Sequence, residues 1–485
     1  MKFISQTSPS NVLTDGQSSC AYGDIPKVFD RVRRYLAEKN ILPEDCLAFE
    51  CGNSVPDALI LLYLLEEGHN FLLLAKGTKS SRDADVEPFF PAFCRYRLDI
   101  MDVDDARKID SPEPERFLRI TENQEWNGNQ TAGQKFYLRT SGSTGSPKMA
   151  MHSHARFQGN VLNCVQRLRL DSNDRIAIPV PIYHMYGLGA AFLPGVAAGA
   201  SIDLQKGANI IRYLQRERAF DPNVVFMTPV FCETLLKGRR SPREYRLTVL
   251  AGDRIRENTF EKYESLFGCL VQLYGSTEMG AIAAASPDMP SKVRATTAGK
   301  PMTDVQMRLG KGSSETGGNE SAMEATDELW CHHQYGFEGY VDENGNPIDS
   351  GEEYQDGWFR TKDFGRIKAG GYLEVLGRYD HSVNRDGLLV FFSDVEKALE
   401  TIEGVDSATV IAKGEGLRGK RLIAYCVPVK NAELTEQDIR TASFDLLPKH
   451  AIPYRIIVID SLPLLPNGKV DRQRLGKDID IAESR

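Results

Sequence analysis

The spacing of apolar residues predicts helices and strands that follow one another along the first part of the chain. Residues 25–40 place apolar side chains three and four positions apart, which is the spacing of one helix face. Residues 54–57 read Ser-Val-Pro-Asp, a typical helix start, and this helix is expected to run to Glu67 and stop at Gly68. A strand is expected at 71–75. A helix followed by a short apolar strand indicates layered α/β structure.

Further apolar runs predict more strands, at 136–138, 175–179, 223–228, 246–252 and 269–275. The last two end at small residues, and ligands of open α/β sheets bind where the strands end. Helices are expected at 155–170 and up to Leu236. The stretch after Pro147 is expected to open a helix from Met149. The first 24 residues are polar and are expected to be loosely held.

The pattern changes after Leu329 to short strands separated by turn signals such as Asn344-Gly345. Strands and helices between 389 and 446 form a pattern typical of a compact α+β domain. We therefore expect an α/β fold class with two domains. A large N-terminal domain of layered α/β sheets plus small β-structure would span 1–378, and a small α+β C-terminal domain would span 379–485.

A stretch of small, hydroxyl-bearing residues ends in a lysine: Thr140-Ser141-Gly142-Ser143-Thr144-Gly145-Ser-Pro-Lys148. Small residues let the backbone approach a bulky anion, amides and hydroxyls donate hydrogen bonds, and Lys148 adds a positive charge. The spacing differs from the Walker loop, which requires Gly-x4-Gly-Lys-Ser/Thr. The stretch therefore predicts a phosphate-binding loop of another kind. The alternative is a flexible Ser/Gly linker.

Composition narrows the function classes. A formal net charge of -8 argues against broad nucleic-acid binding, so no nucleic-acid partner is expected. Nine cysteines contain no Cys-x-x-Cys pair, which favours reduced thiols over a zinc site or a disulfide framework. The N-terminus lacks the apolar core of a signal peptide, and the longest apolar run, 58–65, is too short to span a membrane. A cytoplasmic protein without membrane insertion is expected.

Five motifs occur in order: residues 137–148, Tyr274-Gly-Ser-Thr-Glu278, Gly357-Trp-Phe-Arg-Thr-Lys-Asp-Phe-Gly365, Gly377-Arg-Tyr-Asp380 and Pro466-Asn-Gly-Lys-Val-Asp-Arg472. Together they resemble the adenylate-forming superfamily, which comprises acyl-CoA synthetases, adenylation domains of nonribosomal peptide synthetases, and luciferases. The resemblance implies that the C-terminal domain is mobile and carries a catalytic lysine.

The resemblance also implies a reaction that uses ATP and Mg2+. A carboxylate attacks the α-phosphate of ATP, pyrophosphate leaves, and a thiol captures the acyl-adenylate. Mg2+ prefers oxygen ligands, and Glu278 stands at the family's metal position. Tyr274 would stack on adenine, Thr277 would reach the α-phosphate, and Lys469 would stabilise the developing charge. The alternatives are a solvated glutamate for Glu278 and an exposed turn residue for Lys469.

By the same resemblance, Asp363 and Arg378 would contact the ribose, and Asp380 would be the hinge of the small domain. A surface salt bridge between Asp363 and Arg378 is the alternative. The implied catalytic residues are Lys469, Glu278, Thr277 and His184. The implied ATP- and AMP-binding residues are Thr140, Ser141, Gly142, Ser143, Thr144, Gly145, Lys148, Gly252, Asp253, Tyr274, Gly275, Ser276, Asp363 and Arg378.

The register of the motifs implies an acid pocket lined by His184, Val249, Ala251, Leu273, Ala281 and Ile282. Families that accept large acids usually carry Gly or Ala where this chain has Leu273. Since overpacking against a bulky substrate is costly, a small acid such as glycine is expected. A core leucine and a core histidine are the alternatives for Leu273 and His184. Asp253 is either a partner for a substrate ammonium group or a capping residue.

The thiol acceptor stays open between a separate phosphopantetheinylated carrier protein and CoA. The pattern is similar to standalone glycine-activating enzymes that load a carrier protein, and the alternative is an acyl- or aryl-CoA ligase for a small acid. A remote alternative is a non-catalytic nucleotide-binding relative, against which the intact Lys148, Glu278, Asp363 and Lys469 argue. The chain departs from the family at Thr361-Lys-Asp363, where Thr-Gly-Asp is common, and at Gly387-Leu-Leu389.

Overall fold

The computed structural model describes residues 3–4, 8–76, 89–101, 117–129, 132–140, 148–207, 209–239, 241–310, 326–378, 381–385, 388–416, 419–430, 432, 434–464 and 470–476. Its contacts define two compact units. Unit 1 comprises Met1–Gln306 and Cys331–Phe359, and unit 2 comprises Met307–Trp330 and Arg360–Arg485. The fold class prediction is confirmed, because helices and sheets are mixed in a large and a small unit. The domain division after residue 378 stays a prediction.

The strands of the described residues are, in chain order, β1 (Val12–Thr14), β2 (Ser19–Ala21), β3 (Cys46–Cys51), β4 (Asn70–Ala75), β5 (Tyr96–Ile100), β6 (Leu118–Glu122), β7 (Lys135–Thr140), β8 (Lys148–Ser153), β9 (Arg175–Ile178), β10 (Ser201–Leu204), β11 (Val224–Met227), β12 (Tyr245–Leu250), β13 (Gly268–Ser276), β14 (Gly280–Ala284), β15 (Lys300–Pro301), β16 (Val305–Leu309), β17 (Asp327–His333), β18 (Gly339–Val341), β19 (Pro347–Ile348), β20 (Tyr354–Gln355), β21 (Trp358–Lys368), β22 (Tyr372–Arg378), β23 (Ser382–Arg385), β24 (Leu388–Phe391), β25 (Val405–Gly416), β26 (Gly419–Pro428) and β27 (Arg455–Val458).

The α-helices of the same residues are α1 (Ile25–Glu38), α2 (Val55–Glu66), α3 (His154–Leu168), α4 (Leu193–Ala197), α5 (Ile210–Phe220), α6 (Pro229–Gly238), α7 (Glu257–Phe267), α8 (Ser291–Thr296), α9 (Phe392–Glu400) and α10 (Glu436–Leu446). A π-helix spans Tyr186–Phe192, and short 3-10 turns lie at Tyr22–Asp24, Gly351–Glu353 and Ala369–Gly371. Within the described ranges, no helix is long and apolar enough to cross a membrane.

Two large sheets organise unit 1, as far as its residues are described. One has nine strands in the order β15-β14-β13-β12-β11-β9-β10-β1-β2, and the other has eight in the order β19-β18-β8-β7-β4-β3-β5-β6. Strands β9 to β13 of the first sheet pair in parallel, and so do β3, β4, β5 and β7 of the second. Parallel strands of this kind are covered by helices on their faces, which explains their continuous apolar sequences.

Helix α2 shows how local sequence signals fix the elements of unit 1. The Ser54 hydroxyl accepts the Asp57 backbone N–H, Pro56 lies in the first turn, and Gly68 follows the helix with a φ of 76°. These are the cap, start and stop predicted from the sequence. Residues 58–65 are all buried, so the helix is apolar on every face. The predicted helix at 25–40 is likewise confirmed as α1.

The expectation that the first 24 residues are loosely held is wrong for residues 8–24. Strand β1 pairs in parallel with β10, and the Tyr22 hydroxyl donates to the Ala200 carbonyl at 2.7 Å. The Asn11 amide donates to the carbonyls of Ser172 and Gly199 at 2.6 and 2.7 Å. These polar side chains satisfy buried backbone carbonyls of distant segments. Amino-acid composition alone cannot distinguish polar side chains that bond to such carbonyls from polar side chains that are exposed to solvent.

The expectation of a helix from Met149 is also wrong. Residues 148–153 form β8, which pairs antiparallel with β7 on one side and β18 on the other, and α3 begins only at His154. Met149 and Ala150 are fully buried between those strands. Pairing with two neighbours therefore overrides the helix propensity of a Met-Ala-Met sequence.

Unit 2 contains an apolar core between a sheet and two helices. Strands β25 and β26 pair antiparallel, β27 pairs in parallel with β26, and β23 and β24 form a hairpin. Helices α9 and α10 bury Val395, Leu399 and Ile439 in the same core as Leu422 and Ile456. Residues 363–368 of β21 pair antiparallel with residues 372–378 of β22 in the same unit.

Candidate nucleotide and acid site

The predicted phosphate loop joins two residues that are partners in a β-ladder. Thr140 ends β7 and lies opposite Lys148, which begins β8, and the Thr140 hydroxyl donates to the Lys148 carbonyl at 3.2 Å. Ser141, Gly142, Ser143, Thr144 and Gly145 lie outside the described residues. The two ends of the loop are therefore fixed by the sheet.

Tyr340 connects the lysine of this loop to the predicted metal-binding carboxylate. The Lys148 Nζ lies over the Tyr340 ring, 5.5 Å from its centroid. The Tyr340 hydroxyl donates to Oε1 of Glu278 at 2.8 Å. Tyr340 is buried on β18, opposite Ala150 of β8. Tyr340 was not predicted from the sequence, because its partner Glu278 is 62 positions away and no local pattern connects the two.

The turn 277–279, which carries Glu278 between β13 and β14, is held by buried side chains. The Nε2 of His152 lies 2.9 Å from the Thr277 carbonyl oxygen, and the Asn160 amide donates to the Met279 carbonyl at 3.0 Å. Burial lowers the pKa of His152 to about 4. Because a carbonyl oxygen only accepts, the neutral imidazole donates from Nε2. The backbone beside Glu278 is thus fixed from two sides.

The other residues of the Tyr274–Glu278 motif lie at the end of β13. Tyr274 is half-buried, Gly275 is exposed, and the Ser276 hydroxyl accepts the Met279 N–H at 3.0 Å. Gly275 has no room for a side chain, since an added Cβ would lie 2.2 Å from the Gly280 carbonyl oxygen. Glycine therefore allows this hairpin to close tightly.

The residues predicted to line the acid pocket are buried on three neighbouring strands or directly after them: Val249, Ala251, Leu273, Ala281 and Ile282. The Tyr186 hydroxyl lies 3.0 and 2.7 Å from the carbonyl oxygens of Met227 and Val249. Tyr186 begins the π-helix, and such helices are rare and frequently occur at functional sites. Burial raises the pKa of Tyr186 well above its usual value. Tyr186 was not predicted from the sequence either, because no sequence pattern signals a π-helix.

His184 and Asp253 are both exposed. The His184 ring packs against Tyr183 with centroids 4.7 Å apart, so His184 is not a core histidine. Oδ1 of Asp253 accepts the N–H of the next residue, Arg254, at 2.8 Å. Gly252, beside it, has a φ of 101°, which favours glycine.

The predicted ribose residues lie opposite each other in unit 2. Asp363 on β21 pairs with Arg378 on β22, and the Arg378 Nε lies 3.9 Å from Asp363 Oδ1. Asp363 is 9% exposed, whereas the Arg378 side chain is 48% exposed. The salt bridge considered as an alternative is therefore present in the structure. Lys362 has a φ of 62°, at the position where the family commonly has glycine.

The predicted catalytic lysine Lys469 and the hinge residue Asp380 lie outside the described residues. The described residues that flank Lys469 in the chain make contacts within unit 2. Leu464 and Val470 form an antiparallel bridge, and the Arg472 guanidinium binds Glu396 of α9 at 2.8 Å. Arg472, which follows these residues in the chain, is thus tied to α9 of unit 2.

The donor chemistry of this region fits Mg2+. Among the described residues, no group of three or more His, Cys, Asp or Glu side chains could hold a metal ion by itself. Mg2+ usually binds through one or two carboxylates together with phosphates and water. Glu278 is half-buried and its Oε1 is occupied by Tyr340, so Oε2 supplies the hard oxygen that such a site needs.

Comparison with known proteins agrees with this fold. The model for AMP-binding enzymes matches residues 98–341, and the model for the AMP-binding enzyme C-terminal domain matches residues 394–469. The chain belongs to the family of AMP-binding enzymes, which confirms the predicted adenylate-forming superfamily.

Two curated relatives represent the branches of the family that the sequence resembles. The chain is 27% identical to the putative acyl-CoA ligase YdaB of Bacillus subtilis, over 69% of this chain and 66% of that protein. It is 25% identical to bacitracin synthase 3 of Bacillus licheniformis, over 91% of this chain and 7% of that protein. The chain thus spans less than two thirds of the length of each. The crystal structure of ATP-bound MatB from Rhodopseudomonas palustris shares the fold, with a TM-score of 0.79, 22% identity, and coverage of 98% of this chain and 97% of that chain.

Proposed function

We propose that the protein is an ATP-dependent acid–thiol ligase. It activates a small carboxylic acid, such as glycine, as an acyl-adenylate, releases pyrophosphate, and passes the acyl group to the phosphopantetheine thiol of a separate carrier protein. The observation that carries this proposal is the grouping of Lys148, Tyr340 and Glu278 at the base of the predicted phosphate loop. A lysine ammonium group and a carboxylate held there suit the phosphates of a nucleoside triphosphate and its metal ion.

Each residue would act through its charge or its shape. Lys148 binds the β- and γ-phosphates that leave, and Tyr274 stacks on the adenine. Lys469 stabilises the charge that develops between the attacking carboxylate and the α-phosphate. Mg2+, when bound through Glu278, would neutralise phosphate charge. Asp363 and Arg378 receive the ribose; Asp363 accepts from its hydroxyls.

The proposal of a small acid rests on the packing of the predicted pocket. Val249 and Ile282 are fully buried and Leu273 is 8% exposed, so these side chains are already closely packed. A bulky acid would require these side chains to move, at a cost of about 1–3 kcal/mol. A short acid such as glycine needs no such movement.

The first test is pyrophosphate exchange across a panel of short, branched, aromatic and amino acids, with detection of the acyl-adenylate by mass spectrometry. The wild-type protein is expected to favour the smallest acids. Glu278→Gln is expected to lower the exchange rate strongly. Glu122→Gln, which removes a 56% exposed carboxylate from β6, is the matched control and should retain the wild-type rate. A preference for aromatic acids would refute the proposed substrate class.

The second test distinguishes the acceptors. The adenylated protein is offered a holo carrier protein, the same carrier without phosphopantetheine, or CoA. Loading of the holo carrier alone supports the proposal. Formation of the acyl-CoA instead would identify an acyl-CoA ligase, the activity that the name of YdaB suggests for that relative. Absence of any acyl-adenylate with every acid would favour a non-catalytic nucleotide-binding protein.

A further inference from the structure

We propose that Tyr340 is a positioning residue, which orients Glu278 toward a divalent cation and keeps Lys148 apart from that carboxylate. This inference rests on the proposed function, since it assumes that the site binds a nucleotide with its metal. It concerns a residue outside the five motifs by which the sequence resembles its family. The orientation of the carboxylate, the separation of the charges and the rigidity of the tyrosine each support it.

The orientation of the carboxylate is set by one hydrogen bond. The Tyr340 hydroxyl donates to Glu278 Oε1 at 2.8 Å, and this bond is charge-assisted. A carboxylate accepts at both oxygens, so the bond fixes the plane of the group while Oε2 remains available as a ligand. Residues that orient a metal ligand in this way tune metal affinity, and their loss typically costs about 10- to 100-fold.

The charges of Lys148 and Glu278 are kept apart by the tyrosine. No ion pair joins Lys148 to Glu278 in the described part of the structure, although both contact Tyr340. The lysine ammonium lies over the ring face, and the carboxylate lies at the hydroxyl edge. A directly paired lysine and glutamate would neutralise each other. Tyr340 therefore leaves the ammonium for phosphate and the carboxylate for the cation.

Tyr340 itself is held rigidly. It is 6% exposed, β18 pairs with β8 beside it, and its ring packs edge-on against Phe337 with centroids 4.9 Å apart. The Phe337 N–H also donates to the Glu278 carbonyl at 2.7 Å. The tyrosine and the backbone of its partner are thus held by the same segment, so the bond is made without ordering a flexible side chain.

The test is calorimetric titration of ATP into the full chain, with and without Mg2+. Tyr340→Phe keeps the ring and removes the bond to Glu278. The gain in ATP affinity that Mg2+ produces is expected to fall about 10-fold in this variant, while metal-free ATP affinity stays at the wild-type value. In a Glu278→Gln background, the same substitution is expected to have no further effect. Tyr22→Phe is the matched control, since it removes another buried hydroxyl bond, to the Ala200 carbonyl.

Two outcomes would overturn the proposal: an unchanged Mg2+ dependence in Tyr340→Phe, or an equal loss in the Glu278→Gln background. A purely structural role would lower the melting temperature and leave the Mg2+ dependence alone, which also refutes the proposal. If the wild-type protein shows this metal dependence but forms no acyl-adenylate, the ligase activity is refuted while the role of Tyr340 stands.

Discussion

His152 makes the stability of unit 1 depend on pH, and its replacement by glutamine tests that dependence. The His152 ring is buried, stacks on Phe136 with centroids 5.0 Å apart, and bonds through Nε2 to the Thr277 carbonyl. Its Nδ1 is buried without a hydrogen-bond partner among the described residues. Protonation would place a second donor and a charge in that position. The variant His152→Gln retains an N–H donor for the carbonyl and cannot take up the proton.

The size of the expected loss of stability follows from the shift in the pKa of His152. Burial lowers the pKa of His152 from 6.5 to about 4. Between these values the unfolded chain binds a proton that the folded protein does not, so stability falls as the pH falls. The contribution is fully present above pH 6.5. Relative to that plateau, we expect a loss of about 2 kcal/mol at pH 5 and about 3.4 kcal/mol once the pH is below 4.

The assay is urea unfolding of the wild type and His152→Gln at pH 7.5, 6.5, 5.5 and 5.0. The stability advantage of the wild type over the variant is expected to shrink by about 2 kcal/mol between pH 7.5 and 5.0. His152→Phe, which keeps the stacked ring but leaves the Thr277 carbonyl unsatisfied, should be less stable at pH 7.5 and show the same loss of pH dependence. Parallel curves for wild type and both variants would refute the reasoning.

Three further predictions concern single side chains. The backbone φ of Lys362 is 62°, so Lys362→Gly is expected to raise the unfolding free energy by up to about 1 kcal/mol. Lys362→Val is expected to lower it by at least about 1 kcal/mol. Urea unfolding measures both, and the reverse order of stabilities would contradict the strain argument. Leu273→Gly is expected to shift pyrophosphate exchange toward larger acids, and an unchanged ranking of acids would show that Leu273 does not limit the pocket. Arg472→Met removes the ion pair with Glu396 and is expected to slow acyl-adenylate formation about 10- to 100-fold, with ATP affinity unchanged. A wild-type rate would show that this ion pair does not matter for catalysis.

The sequence correctly predicted elements whose start and end are set by neighbouring residues. Ser54 caps α2 and Gly68 ends it, and both could be read from four or five neighbouring residues. The α10 helix begins after Thr435, whose hydroxyl and the Asp438 carboxylate form a capping box, and it lies within the stretch 389–446 for which helices and strands were predicted. Such elements carry their own start and stop, so little tertiary information is needed.

The wrong predictions concern residues whose structure is decided by pairing with segments that are distant in the sequence. Met149 belongs to a strand because β7 and β18 lie on either side of it, and the polar residues before Ile25 are held by carbonyls such as that of Ala200. Tyr340 and Tyr186 were missed for a related reason. Tyr340 bonds to Glu278, which is 62 positions away, and Tyr186 bonds to Val249, which is 63 positions away. The sequence motifs of the site show residue types but not these supporting contacts.

The pairing of Thr140 with Lys148 has a consequence for how this protein can vary. The sheet holds both residues in register, with β4 beside β7 and β18 beside β8. Each doubling of a connecting segment costs only about 0.6 kcal/mol in closure entropy. A longer connection between the two residues is therefore expected to cost the β7–β8 pairing little free energy. Nucleotide recognition can change during evolution, or in a library of variants, while the β7–β8 pairing is retained.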